Sequence, residues 1–357
     1  MTASSASPAR IGILYEHPDW FRPLFAELDR RGIGWDGLDP RRLLLDPERP
    51  LPDYELVLNR MSPSGFLRGA SGAVFATREL LSAWEARGTP VLNGTPAWDV
   101  ELSKIRQLRL LHDLDLPAPR SRFVTPEGIR DAAEAIGFPL VVKPNIGGSG
   151  AGIRRFASLD ELDAALVRDP PELGPTGVGL VQEYVRPRGG HIQRIEVLDG
   201  EVLYGIRVHA PDGEFNLCPA DVCQTVDGVT LTRGACAVDA ADQGLKVEAF
   251  EPPPDVADEV VGIAEAAGIT LGGIEYTVDD ASGRRLYYDV NALSNFVSDG
   301  PAVLGFDPFV RFVDWIERRL GRRGRPGGDA HGAAGAAAAG YGASDALRLA
   351  GAEGGLA

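Results

Sequence analysis

The sequence predicts an α/β protein that opens with a parallel sheet and continues into mixed α+β units. Three observations predict it. Short apolar runs alternate with amphipathic stretches over residues 10–95, the order that builds an open parallel sheet. Strand and helix patterns then interleave around a glycine-rich loop near residue 147. Finally, the segments 192–210 and 272–292 read as hairpins, turning at Asp199-Gly200 and Ser282-Gly283.

Element by element, "IGILYEH" (11–17) has the continuous apolarity of a buried strand, and "WFRPLFAELDRRG" (20–32) is a helix stopped by Gly32. "ELVLNRM" (55–61) is a second strand, and "RELLSAWEARG" (78–88) a helix before the strand "PVLNG". No glycine fingerprint follows the first strand, so this unit is not read as a dinucleotide site. Thr95-Pro96 supply an N-cap and a first helical residue, and the helix runs to about residue 114. Next come strand "SRFVT", helix "PEGIRDAAEAIG", strand "PLVVKPN", the glycine loop, strand "GIRRF" and helix "SLDELDAALVRD". Ser158 and Glu161 have the spacing of a capping box. "LVQEYV" near residue 180 is a strand or hinge, and 191–250 reads as β-rich. The prolines at 252–254 end that region, and "DVADEVVGIAEAAG" is a helix closing at Gly268. A last helix, 307–320, is capped by Asp307 and started by Pro308, with Phe309, Phe312, Val313, Ile316 and Leu320 as its apolar stripe. Residues 321–357 are rich in Gly, Ala and Arg and are expected to be disordered, because little apolar surface is there to offset ordering entropy.

At 357 residues the chain is long enough for two domains or one elaborate α/β unit, and its net charge of −15 argues against nucleic acid as a partner. Residues 1–10 lack the apolar core of a signal peptide, and no apolar run is long enough to span a bilayer. Three cysteines, Cys218, Cys223 and Cys236, suit a reducing compartment, so a cytoplasmic protein without a membrane partner is expected. They lack paired C-x-x-C spacing, which favours buried thiols over a zinc site. Of 36 basic residues only Lys104, Lys143 and Lys246 are lysine. A lysine kept against that bias is either chance or a position needing a compact point charge.

Three stretches could carry chemistry. In the second hairpin Asp289 and Asn291 share a face, and pairing across the turn can bring Glu275 beside Asp289. Two carboxylates and an amide oxygen suit Mg²⁺, although acidic residues also line ordinary solvated sheet faces. In "VVKPNIGGSGAGI" (141–153), Lys143 closes a strand before the glycines, which fits neither a P-loop nor a dinucleotide turn. Glycines let backbone amides approach phosphate oxygens, but the loop is equally readable as a flexible hairpin tip. "VQEYV", about thirty residues later, could place backbone groups against an adenine edge. "GGSGA" around Ser149 lacks the last glycine of a nucleophile elbow, so a hydrolase is rejected.

In this order the residues resemble a family: helix Lys104, strand Lys143 with its glycine flap, hinge Gln182 to Val185, strand Arg194, Glu275 after G-G-I, and Asp289 and Asn291 in D-V-N. The pattern resembles the ATP-grasp superfamily, nearest to its RimK-like and glutathione-synthetase-like carboxylate–amine ligases, over about residues 10–320. The resemblance implies an ATP-grasp fold, two α+β subdomains clasping ATP, preceded by an open parallel α/β domain. Its implied bounds are 10–95 for the first domain and 96–320 for the second, with a lid at about 119–182.

It also implies roles. Lys104 and Lys143 would contact the α- and β-phosphates. Gly147, Gly148, Ser149, Gly150 and Gly152 would cover the β- and γ-phosphates. Gln182, Glu183, Tyr184 and Val185 would form the adenine hinge. Glu275, Asp289 and Asn291 would hold two Mg²⁺ ions, with Mn²⁺ able to substitute. Arg194 and Arg207 would neutralise the transferring phosphoryl group. The implied reaction joins a small-molecule or peptide carboxylate to an amine through an acyl phosphate, releasing ADP and phosphate. A kinase acting on a hydroxyl, or a nucleotide-binding protein without turnover, are the alternatives, and family habit leaves room for a homo-oligomer. The chain departs from the pattern at His191, where the family carries an acid, at "EFNLCPADVC", where Asn216 or Asp221 would shape the acceptor site, and at "ALSNFVSDGP".

Overall fold

The computed structural model of the chain describes residues 10–42, 45–49, 51–148, 151–209 and 246–321. Strand β1 (Arg10–Leu14) lies between β2 (Gly34–Leu38) and β3 (Leu56–Asn59), with β4 (Val91–Leu92) beyond β3, all parallel. Helix α1 (Arg22–Arg30) buries Leu24 and Leu28 against Ile11, Ile13, Leu56 and Leu58. Helix α2 (Ser71–Ala86) covers the opposite face, placing Val74, Leu81 and Trp84 with Leu14 and Val57. Burial on both faces is why these strands read as unbroken apolar runs. Strand β2 is not apparent in the sequence: "GWDGL" has no apolar run, and it forms a largely half-exposed edge.

The helix expected over 95–114 is two helices, α3 (Thr95–Glu101) and α4 (Lys104–Asp113). Ser103 interrupts it as an N-cap, its Oγ accepting the Arg106 amide at 3.4 Å. Asn145 takes the next two amides, Lys104 through its carbonyl and Ile105 through Oδ1, both at 3.1 Å. Thr95 is therefore not the cap; its hydroxyl donates to Glu85 Oε2 at 2.6 Å. The break sets Lys104 at the start of α4.

A second, antiparallel sheet is built from β5 (Ser121–Val124), β6 (Leu140–Pro144), β7 (Arg154–Phe156) and β8 (Gly179–Glu183), in the order β5-β8-β6-β7. Helices α5 (Ile129–Ile136) and α6 (Leu159–Arg168) cover one face over Leu140, Val142 and Val181. Lys143 and Gln182 belong to the other face. Ser158 caps α6 at 3.3 Å, while the Glu161 carboxylate accepts the Ala157 amide at 2.7 Å, one residue before the capping-box position.

The third sheet holds β9 (His191–Leu198), β10 (Glu201–His209), β11 (Val247–Phe250), β12 (Leu271–Val278) and β13 (Arg285–Asn291), antiparallel in the order β11-β10-β9-β12-β13. Helix α7 (Pro254–Ala266) packs on the face bearing Ile195, Val197, Ile274 and Val290. Ile192, Tyr204 and Ile206 on the other face join the core of the parallel sheet. Helix α8 (Gly300–Leu304) precedes α9 (Pro308–Gly321), which buries Phe312, Val313 and Ile316 in that same core. Asp307 caps α9, accepting the Phe309 amide at 2.8 Å. The readings of Asn216, Asp221, Cys218, Cys223, Cys236 and the tail beyond Gly321 lie outside the described residues. Among the described residues, no helix is long and apolar enough to cross a membrane.

Asn93, after β4, ties the parallel sheet to the third sheet. Its amide donates to Leu271 O at 2.7 Å and Ala292 O at 2.6 Å, and its oxygen accepts the Thr270 amide at 2.9 Å. Asn93→Ala would leave these buried backbone groups unpaired, so a loss of about 3 kcal/mol is expected in urea melts. A loss below about 1 kcal/mol would show that the bridge does not hold the sheets together.

Candidate functional site

Two β-bulges decide which side chains meet. In the β12–β13 hairpin, Glu275 pairs directly with Asp289, and Gly273 with Asn291. The register then shifts, so that Tyr276 pairs with Tyr287 and Tyr288 is the extra residue. The bulge brings the Tyr288 hydroxyl to Glu275 Oε2 at 3.0 Å while Tyr287 stays in the core.

The other bulge lies between Val202 and Tyr204 of β10. Without it, Arg207 would share the face of Arg194; the one-residue shift pairs Ile206 with Arg194 and Arg207 with Gln193 instead. Arg207 is thus turned to the opposite face, where its guanidinium lies 4.6 Å from the Phe250 ring. The expected pairing of Arg207 with Arg194 at one site is corrected by this shift.

Around the acids the charges interlock. Lys104 Nζ donates to Asp289 Oδ1 at 2.6 Å, and Arg194 Nη1 to Glu275 Oε1 at 2.8 Å. Arg194 Nε also reaches Glu196 Oε1 at 2.6 Å. Burial would raise the Asp289 carboxyl, but Lys104 outweighs it and holds the group below the usual carboxylate range. Burial likewise opposes charge on Lys104, yet Asp289 keeps its ammonium above the ordinary value. Glu275 is pushed up by burial, against the pull of Arg194. Lys143 is 5% exposed, and burial plus the nearby Lys104 charge lower its ammonium to about 7. Its Nζ donates to Gln182 Oε1 at 2.9 Å, and Gln182 Nε2 donates to Ser121 Oγ at 2.8 Å. Gln182 therefore acts from the strand as a holder of Lys143.

The remaining predicted residues are placed as follows. Asn291 donates its side-chain amide to Gly273 O at 3.3 Å. Glu183 pairs with Arg120 at 2.6 Å, and the Tyr184 amide is taken by Pro139 O at 3.1 Å. Val185 follows β8, half-buried. Gly147, Gly148 and Gly152 flank the loop between β6 and β7; Ser149 and Gly150 lie outside the described residues. Gly152 has φ +74°, and a Cβ there would stand 2.8 Å from Pro144 Cγ, so only glycine fits the turn.

Sequence reasoning missed several participants. Glu101 accepts the Ala292 and Leu293 amides just after Asn291, and burial pushes its carboxyl up to about 7. Gln107 pairs with both backbone groups of Val290, at 2.9 and 3.2 Å. Arg60, 3% exposed, donates to Ser294 O. Each contact joins segments more than a hundred residues apart; only Ser103, a cap residue ahead of Lys104, left a local signal. A buried carboxylate, Glu275, facing a half-buried one, Asp289, in register, with an amide oxygen two residues on, is a hard-oxygen donor set that fits a divalent cation such as Mg²⁺.

No protein-family model matches the chain. A probable alpha-L-glutamate ligase of Pseudoalteromonas atlantica is 28% identical over 202 residues, 56% of this chain and 63% of the relative. The chain thus spans less than two thirds of that relative's length. A D-alanine–D-alanine ligase of Ectopseudomonas mendocina is 28% identical over 229 residues, 64% of this chain and 66% of the relative. Among solved structures, a RimK domain ATP-grasp protein of Sphaerobacter thermophilus superposes with a TM-score of 0.60 at 19% identity, over 86% of this chain and 99% of that one. The chain therefore has the ATP-grasp fold, and ligases stand among its relatives in sequence.

Proposed function

We propose that the protein is an ATP- and Mg²⁺-dependent carboxylate–amine ligase, forming an amide through an acyl phosphate and releasing ADP and phosphate. The observation that carries this reading is the register pairing of Glu275 with Asp289, with Lys104 bonded to Asp289 and Lys143 close enough to feel both charges. Lys104 and Lys143 bind the α- and β-phosphates, and the amides of Gly147 to Gly152 cover the β- and γ-phosphates. Glu183, Tyr184 and Val185 border adenine; since the Tyr184 amide is committed to Pro139, the reading edge falls to Val185 and the hinge carbonyls. Glu275, Asp289 and Asn291 would hold Mg²⁺, with two ions and Mn²⁺ substitution the arrangement that the resemblance implies. When bound, Mg²⁺ neutralises phosphate charge that would repel an incoming carboxylate.

In the first step a substrate carboxylate oxygen attacks the γ-phosphorus, and the bond from phosphorus to the ADP oxygen breaks. Arg194, fixed between Glu196 and Glu275, offsets charge on the transferring phosphoryl group. The amine then attacks the acyl carbon, loses a proton and displaces phosphate, which departs with the former carboxylate oxygen. Carboxylate labelled with ¹⁸O should therefore transfer one labelled oxygen to inorganic phosphate, and ADP release should require an amine. A stable phosphorylated product formed without amine would instead make the protein a kinase.

Arg194 also yields a steric prediction. A Cβ at Gly273 would lie 2.5 Å from Arg194 Nη2 and 2.6 Å from Glu196 Oε1. Gly273→Ala should fold but lose about 10²-fold in ADP release, the scale of removing one charge-stabilising donor. Wild-type turnover in this variant would exclude Arg194 from the chemistry.

A further inference from the structure

A sizeable pocket among the described residues takes no part in the nucleotide and metal assignments. Its volume is about 710 Å³, within the range of about 300–1,000 Å³ common to small-molecule sites. It lies where the chain leaves α4 and enters β5. Ile105, Leu108, Arg109 and His112, at the spacing of one helix face, form its helical side. The buried side of α4 is a different one, carrying Gln107 and Leu111. The linker residues Pro117, Ala118 and Pro119 continue the apolar lining, and Arg284 from the β12–β13 turn joins it. This linker is fixed before any ligand arrives. Its prolines have a locked φ, the Pro117 carbonyl accepts the Tyr287 amide at 2.9 Å, and the Pro119 carbonyl accepts the Ser121 hydroxyl at 2.9 Å. A pre-organised pocket spends little of a ligand's binding energy on ordering itself.

The charges around the pocket are ones the fold does not use. Arg106 pairs with Asp99, Arg120 with Glu183, and Arg285 with Asp255 and Glu259. Arg109 and Arg284 have no hydrogen-bond or ion-pair partner among the described residues. In a chain of net charge −15, these two cations line one pocket against a single carboxylate, Asp115. Like charges gathered beside an apolar lining repel each other, and a bound anion would offset both. We propose that this pocket binds a small organic anion with an apolar body, the chemistry of an aryl- or alkyl-carboxylate. Arg109 and Arg284 take the anionic head, and the hydrocarbon part lies against Leu108, Pro117 and Ala118. None of the residues assigned to nucleotide, Mg²⁺ or phosphoryl transfer lines the pocket. The assignment therefore stands or falls apart from the ligase reading.

The test uses the fluorescent anion anilinonaphthalene sulfonate on the full chain, with Mg²⁺ and a non-hydrolysable ATP analogue present throughout to occupy the nucleotide site. The sulfonate should bind saturably, and phenylbutyrate should displace it. The uncharged amide of phenylbutyrate should displace it about 10-fold less well, the loss of one charge-assisted contact. Arg109→Glu and Arg284→Glu should each weaken the sulfonate by about 10-fold or more while leaving nucleotide affinity and melting temperature unchanged, since both side chains are exposed. Ala118→Trp, which fills the pocket, should abolish binding; if it melts early, the two arginine variants decide. A wild type without saturable sulfonate binding would overturn the assignment, as would an affinity that both arginine reversals leave unmoved. Equal displacement by phenylbutyrate and its amide would also overturn it, because the arginines would then have no part in recognition.

Discussion

Replacing Asp289 with asparagine is expected to cut Mg²⁺-dependent ADP release by about 10³-fold or more, with the fold retained. Asp289 is held ionised by Lys104 at 2.6 Å, opposite Glu275 in register. The amide keeps the shape and can still accept a bond from Lys104, but it removes the charge that would anchor a dication facing the phosphates. Metal stabilisation of transition-state charge is worth several kcal/mol, which sets the size of the effect. Asp289→Ala goes further, leaving the Lys104 ammonium without its partner, and should also lower stability by about 3–5 kcal/mol. ADP release across a Mg²⁺ titration, beside urea melts, separates the two. Turnover within about tenfold of wild type in Asp289→Asn would remove the acid pair from the mechanism.

The second large effect belongs to Lys143. Lys143→Ala should weaken nucleotide binding by about 10- to 100-fold, the loss of one charge-assisted contact to phosphate. Arginine should not rescue it, because the buried strand position bonded to Gln182 suits a compact ammonium rather than a planar fork. The pH dependence is more distinctive. Without nucleotide, burial and then the Lys104 charge bring Lys143 to about 7 from 10.5. Phosphate favours the protonated form, so above pH 7 nucleotide binding takes up a proton and affinity falls as pH rises. Stability of the nucleotide-free protein moves the other way. Between about pH 7 and 10.5 the unfolded chain holds a proton that the folded chain has released, so stability rises with pH. Calorimetry in buffers of different ionisation enthalpy should register the uptake at pH 8 in wild type and not in Lys143→Ala. Equal uptake in both would assign the proton to another group.

Much of the site was legible because its signals are local. The two-residue turn at Asp199-Gly200, positive in φ at both residues, marked the β9–β10 hairpin, and the alternation in 271–291 was enough to put Glu275 across from Asp289. The strands β1, β3 and β4 announced a parallel sheet through their apolar runs, whereas β2, an edge, did not. What stayed hidden depended on register or distant contacts. Nothing in "EVLYGIRVH" marks the bulge that turns Arg207 away, and nothing near Arg60 or Glu101 points to the loop after Asn291 that both of them hold. The broken helix is the intermediate case: Ser103 is a good cap, but a helix-forming run on both sides masks it until Asn145 arrives to take the next two amides.

The most direct measurement is a crystal structure with a non-hydrolysable ATP analogue and Mn²⁺, located by its anomalous scattering. The account predicts Mn²⁺ within bonding distance of oxygens of Glu275, Asp289 and Asn291, with Lys104 and Lys143 on the phosphates. Nucleotide bound elsewhere, or metal peaks away from these three side chains, would contradict it.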